Sequence, residues 1–154
     1  MSEGFRQHSY QPPEGATEVI LVRHGESRAA SKENPFPLVD GHGDPELHPN
    51  GEQQAIAVGE RLKHENIDAI YVTSLQRTVQ TAAPLATHLG MPTRVEADLR
   101  EVCLGEWEGG VLRMKAAAGD PIFLQMQAEE RWDAIPGAES WETLNTRITA
   151  ALTR

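Results

Sequence analysis

The sequence predicts an α/β domain in three layers, a mainly parallel sheet with helices on both faces. Three observations point there. The run Val19–Val22 is apolar and mostly β-branched, Asp68–Thr73 (D-A-I-Y-V-T) is a second short β-rich run, and both end in polar residues. Segments with helical spacing follow each of them. Between the two runs Ala55, Val58 and Leu62 recur at that spacing, and after the second come Val79, Ala82, Ala83, Ala86 and Leu89. Strand, helix, strand, helix is the order of a crossover unit, in which ligands sit beyond the carboxyl ends of the strands.

In chain order, residues 1–16 carry no apolar period and read as a flexible arm, leaving 17–154 as one domain. The first strand is expected over Glu18–Arg23, buried, with Arg23 and His24 presented at its end. Residues 25–48, rich in Gly, Pro, Asn and Asp, read as a long loop. Asn50, with Gln53 three residues on, resembles an N-cap for a helix to His64. Ser74 is placed to cap the second helix, which Gly90 closes and in which Pro84 should cause a kink. Thr93–Glu96 is a third strand, Asp120-Pro121 opens a helix to about Arg131, and Ser140 caps a last helix with Trp141, Leu144, Ile148 and Ala151 as its apolar stripe.

Composition bounds the function. With 23 acidic against 14 basic residues the formal net charge is −9, and a diffuse acidic field repels nucleic acid and anionic membranes. An anion must then be caught by a local basic cluster. Cys103 is the sole cysteine, so no internal disulfide and no cysteine-based zinc cluster is expected, in keeping with a reducing cytoplasm. No stretch approaches the ~20 apolar residues of a membrane span. The loop residues Asp40, His42, Asp44, Glu46 and His48 could suggest a divalent metal, but without fixed spacing they read as a solvated acidic loop, and no metal or other cofactor is expected. The three tryptophans read as packing residues.

Arg23, His24, Arg77 and Glu101 stand at or just after strand ends. Two arginines offer planar forks to phosphate oxygens, a neutral histidine is a nucleophile, and a carboxyl group is an acid for a departing oxygen. Together they suggest phosphoryl transfer. The wording around them is more specific. Leu21–Ser27 (L-V-R-H-G-E-S) resembles the R-H-G motif of the histidine phosphatase superfamily, the phosphoglycerate-mutase-like enzymes. Asp44–Ala55 (D-P-E-L-H-P-N-G-E-Q-Q-A) resembles that family's D-x-x-L-T-x-x-G-x-x-Q-A segment, with His48 for the threonine. Thr73–Ala82 resembles its S-P-L-x-R-x-x-Q-T-A segment, with Ser74 for the proline, and Leu99–Gly109 its L-x-E-x-x-x-G-x-W-E-G segment. Pro136–Ser140 (P-G-A-E-S) resembles its P-G-G-E-S turn.

The resemblance implies a phosphomonoester hydrolase that works through a phosphohistidine on His24. Arg23 and Arg77 would bind the phosphoryl oxygens, and Gly25 would let the backbone approach them. Glu101 would protonate the leaving oxygen and then activate water. The substrate would be a small phosphorylated compound. The family also uses a second histidine, in an H-G-G or S-H-G segment after the last helix, and no such segment occurs here. The expectation is therefore a C-terminally truncated member lacking its C-terminal strand, weak or inactive in turnover, and a possible homo-oligomer through the exposed sheet edge. A mutase is the alternative within the family, disfavoured because Ser27 is followed by R-A-A-S rather than by the W-N pair of sugar-phosphate mutases. A phosphate-binding domain without turnover is the alternative outside enzymes.

Overall fold

Two helices of matched length form the centre of the computed structural model, which describes residues 10–154. Helix α1, Pro49–Leu62, buries Gly51, Ala55 and Gly59 along one face, and α2, Gln76–Leu89, buries Arg77, Thr81 and Leu85. The small residues allow close approach. A Cβ on Gly59 would lie 3.0 Å from the Cβ of Pro84, so the helices pack nearly backbone to backbone there. Pro84 does not interrupt α2, whose assignment runs through it to a left-handed Gly90.

The strands are short. β1, Leu38–Val39, pairs antiparallel with β2, His42–Gly43, across an Asp40-Gly41 turn in which both residues have positive φ, the turn for which Asp-Gly is suited. β3, Ile70–Val72, pairs parallel with β4, Thr93–Val95. In β3 Ile70 and Val72 are buried while Tyr71 faces outward, the period-two alternation of a sheet covered on one side. After a 3-10 turn at Ala97–Leu99 and another at Gly105–Trp107 come α3, Val111–Ala118, α4, Pro121–Glu129, and α5, Trp141–Leu152. Asp120 and Ser140 cap α4 and α5 as expected, accepting from Ile122 N at 2.9 Å and Thr143 N at 3.1 Å. No helix among the described residues is long and apolar enough to cross a membrane.

Several expectations are corrected. Val19–Val22 is not a buried strand: no strand among the described residues pairs with it, and Leu21 is 89% exposed. A β-branched run becomes a strand only where neighbours take up its backbone groups, and β3 pairs with β4 alone. The three-layer parallel sheet is accordingly reduced to that one parallel pair within an α/β fold of five helices. The N-cap of α1 is His48, whose Nδ1 accepts from Asn50 N at 3.2 Å, because Pro49 occupies the first helical position. The N-cap of α2 is Leu75 rather than Ser74, and its side chain caps nothing. Trp141 is 60% exposed and meets Trp132 in a tilted ring contact, centroids 5.6 Å apart, whereas Trp107 is buried. Residues 1–9 of the expected arm lie outside the described residues.

Candidate active site

Four backbone and side-chain ties fix the segment after the exposed run. Ser27 forms a bridge with Leu47, Arg28 N donates to Glu46 O at 3.0 Å, and His48 N donates to Glu26 O at 2.8 Å. Glu26 N donates to the Gln54 side chain at 2.8 Å. The R-H-G-E-S segment thus lies along the D-P-E-L-H-P-N-G-E-Q-Q-A segment, and the two motifs are one structural unit.

Gly25 sits at the tightest point. A Cβ there would lie 2.5 Å from Gly51 O, and one on Gly51 would collide with Glu26 O. The Gly25 amide donates to Thr81 Oγ1 at 3.1 Å, so that N–H is taken up within the protein rather than offered to a phosphate. The structure gives Gly25 the task of letting α1 and α2 close on the residue before it. That residue is His24, half-buried, with Nδ1 2.7 Å from Gly25 O. A carbonyl only accepts, so Nδ1 carries the hydrogen and Nε2 of the neutral ring carries the free electron pair. Burial first, and then the charges of Arg77 and Arg23, lower the His24 pKa below 6.5, against the Gly25 carbonyl and Glu101.

Arg77 enters from the first turn of α2. It is buried, and its Nη1 donates to Gly43 O at 2.7 Å. Its helix is capped from a distance: Asp44 Oδ1 accepts from Gln76 N at 2.7 Å, while Gln76 Nε2 returns a bond to Asp44 O at 2.6 Å. Glu108 braces the same hairpin, accepting from Gly43 N at 2.6 Å and Leu104 N at 2.8 Å. Glu101 is exposed, and its carboxylate accepts from Val102 N at 3.2 Å.

Arg23, His24, Arg77 and Glu101 line one open cavity of ≈ 480 Å³, together with Arg100 and the apolar side chains of Trp132, Leu144 and Ile148. Arg100 was not foreseen from the sequence; its guanidinium pairs with Asp40 at 2.8 Å and reaches Ser74 Oγ at 3.3 Å. Thr81, Asp44 and Glu108 were also missed as supports, although each lies inside a recognised motif. In the loop weighed for a metal, Asp44 and His42 are buried rather than solvated, and among the described residues no group of three or more His, Cys, Asp or Glu is arranged to hold one.

The cavity thus gathers a histidine with a free Nε2, three arginines whose guanidinium groups suit an anion, and a carboxyl group. The family model of the histidine phosphatase superfamily (branch 1) matches residues 19–154, and the chain belongs to that superfamily. It is 36% identical over 141 residues to phosphoglycerate mutase-like protein 4 of Arabidopsis thaliana, covering 89% of this chain and 59% of the relative. Among solved structures it resembles a mycobacterial glucosyl-3-phosphoglycerate phosphatase, with a TM-score of 0.64, 28% identity, and coverage of 84% of this chain and 59% of the other. It also resembles phosphoglycerate mutase of Bacillus anthracis, with a TM-score of 0.62, 25% identity, and coverage of 84% and 63%. The chain spans 59% and 61% of the length of the first curated relatives that it matches.

Proposed function

We propose that the chain carries the phosphoryl-accepting part of a phosphomonoester hydrolase, with His24 as nucleophile and a small phosphorylated compound as substrate. The observation behind this reading is the fixed tautomer of His24 inside a cavity that also holds Arg23, Arg77 and Glu101. Nε2 attacks phosphorus as the bond to the ester oxygen breaks, and Glu101 gives its proton to that oxygen. Water, deprotonated by Glu101, then displaces the phosphoryl group from Nε2 as inorganic phosphate. Charge in such a loose transition state spreads over the equatorial oxygens, where the Arg23 and Arg77 guanidinium groups act. A carboxyl group is an acid only when protonated, and the approach of a phosphate dianion favours that form.

The mutase alternative shares the first step and differs in the acceptor, and the Arabidopsis and Bacillus relatives bear mutase names. One experiment addresses both. The chain is incubated with an aryl phosphate, and acid-labile phosphohistidine is sought by phosphorus NMR and mass spectrometry. Label on His24, lost in His24→Ala and released to water, is the expected result. Label elsewhere, or unchanged in His24→Ala, overturns the reading, and transfer to phosphoglycerate in preference to water selects the mutase.

A further inference from the structure

Glu101 has little of its own to hold it. Its carboxylate accepts only the neighbouring Val102 amide among the described residues, so its direction depends on the backbone on either side. That backbone is held from α5. The Arg147 guanidinium donates from Nη1 to Asp98 O at 2.6 Å and Arg100 O at 2.8 Å, and from Nη2 to Glu101 O at 3.0 Å. Its other bonds run to Glu139, Nε to Oε1 at 2.6 Å and Nη2 to Oε2 at 2.8 Å, so that all five N–H groups have partners. Glu139 completes the grip: Oε2 accepts from Cys103 N at 3.2 Å, and its own amide donates to Cys103 O at 2.8 Å.

From this geometry we infer that Arg147, set by Glu139, is a positioning residue that fixes the Asp98–Cys103 backbone so that Glu101 faces the phosphoryl group on its way to His24. The inference rests on the reading of Glu101 as the acid. Neither Arg147 nor Glu139 lines the cavity, and both side chains are largely buried, 17% and 8% exposed. A lysine could not replace the fork, because a single ammonium cannot reach a bidentate carboxylate and three carbonyls together.

The proposal makes a selective prediction. In kcat/KM, which reports phosphorylation of His24 and not the later hydrolysis that also uses Glu101, leaving groups that need a proton should suffer from a displaced Glu101, and leaving groups that need none should not. Turnover of an alkyl phosphate and of dinitrophenyl phosphate is compared in the wild-type chain, Glu101→Gln, Arg147→Met and Glu139→Gln. The expected result is that Glu101→Gln and Arg147→Met lose about 10²-fold more kcat/KM on the alkyl ester than on the dinitrophenyl ester, with Glu139→Gln smaller in the same sense. Equal losses on both esters in Arg147→Met, beside a selective Glu101→Gln, overturn the positioning role while the acid reading stands. An unselective Glu101→Gln removes the acid reading and the positioning role with it. A second readout needs no turnover and accommodates a poorly folding Arg147→Met through Glu139→Gln. Saturating inorganic phosphate should shift the Glu101 carboxyl carbon resonance in the wild type and shift it less in the folded variant, which still binds phosphate. An undiminished shift there overturns the proposal.

Discussion

At His24 one backbone oxygen decides which nitrogen carries the free electron pair. Because Nδ1 is engaged by the Gly25 carbonyl, only Nε2 is free, and burial beside Arg77 and Arg23 keeps the ring neutral below its ordinary 6.5. Formation of phosphohistidine is therefore expected to persist as the pH falls through 6.5 and to fail only at lower pH. The same depression affects folding. The native state binds this proton more weakly than the unfolded chain, so the His24 contribution to stability is complete above 6.5 and is lost as the pH falls through the native midpoint. An imidazole NMR titration of the folded chain checks the direction, and a midpoint at or above 6.5 contradicts it. Arg23, His24, Arg77 and Glu101 were legible as candidates chiefly because each lies inside a segment that resembles a family motif, and the fold brings all four to one cavity. Arg100 and Thr81 were not, since nothing in the sequence distinguishes an arginine paired with a loop carboxylate, or a mid-helix hydroxyl that accepts a distant amide, until the fold puts them beside the site.

At the scale of elements, α2 is the piece on which the site depends, and its support comes from outside the helix. Leu75 leaves the first turn without a side-chain cap, and the buried carboxylate of Asp44, just after β2, supplies it. Asp44→Ala is expected to cost about 1–3 kcal/mol in denaturant unfolding, through the lost cap and the unpartnered Gln76 amide, and to weaken phosphate binding by displacing Arg77. Unchanged stability and affinity would refute this. The expected apolar face of α2 was Val79, Ala82, Ala83, Ala86 and Leu89, yet Val79 and Ala83 are exposed, the other three only partly covered, and the buried residues are Arg77, Thr81 and Leu85. Periodicity ranks residues by hydropathy and so misses a polar face buried for function. The Asp40-Gly41 hairpin was legible and overlooked, its strands being only two residues long. Val19–Val22 failed for the opposite reason, since composition records β preference and says nothing of a pairing partner.

At the scale of the molecule, a chain of formal net charge −9 gathers three arginines in one pocket, so the anion capture proposed there would be a local property set against the global field. Four of the five helices and the α/β class were legible because their signals are local, whereas α3, Val111–Ala118, was not read and sheet pairing is not a local signal. The exposed run offers a direct check. Leu21→Glu should change unfolding free energy by less than about 0.5 kcal/mol, since the side chain is 89% exposed. A loss of about 2 kcal/mol, with a change in sedimentation, would show that another copy covers the run in solution.

The Thr81 hydroxyl donates to Arg77 O at 2.7 Å while accepting the Gly25 amide at 3.1 Å, joining one helical turn to the loop of the nucleophile. Arg77 and His24 thus share a rigid frame and drift together when α2 drifts. Glu101 rides on α5 instead. In the proposed mechanism, thermal breathing of the cavity is expected to leave the His24-to-Arg77 spacing constant and to modulate the distance to Glu101, so that proton delivery should respond to viscosity and temperature more than phosphate capture does.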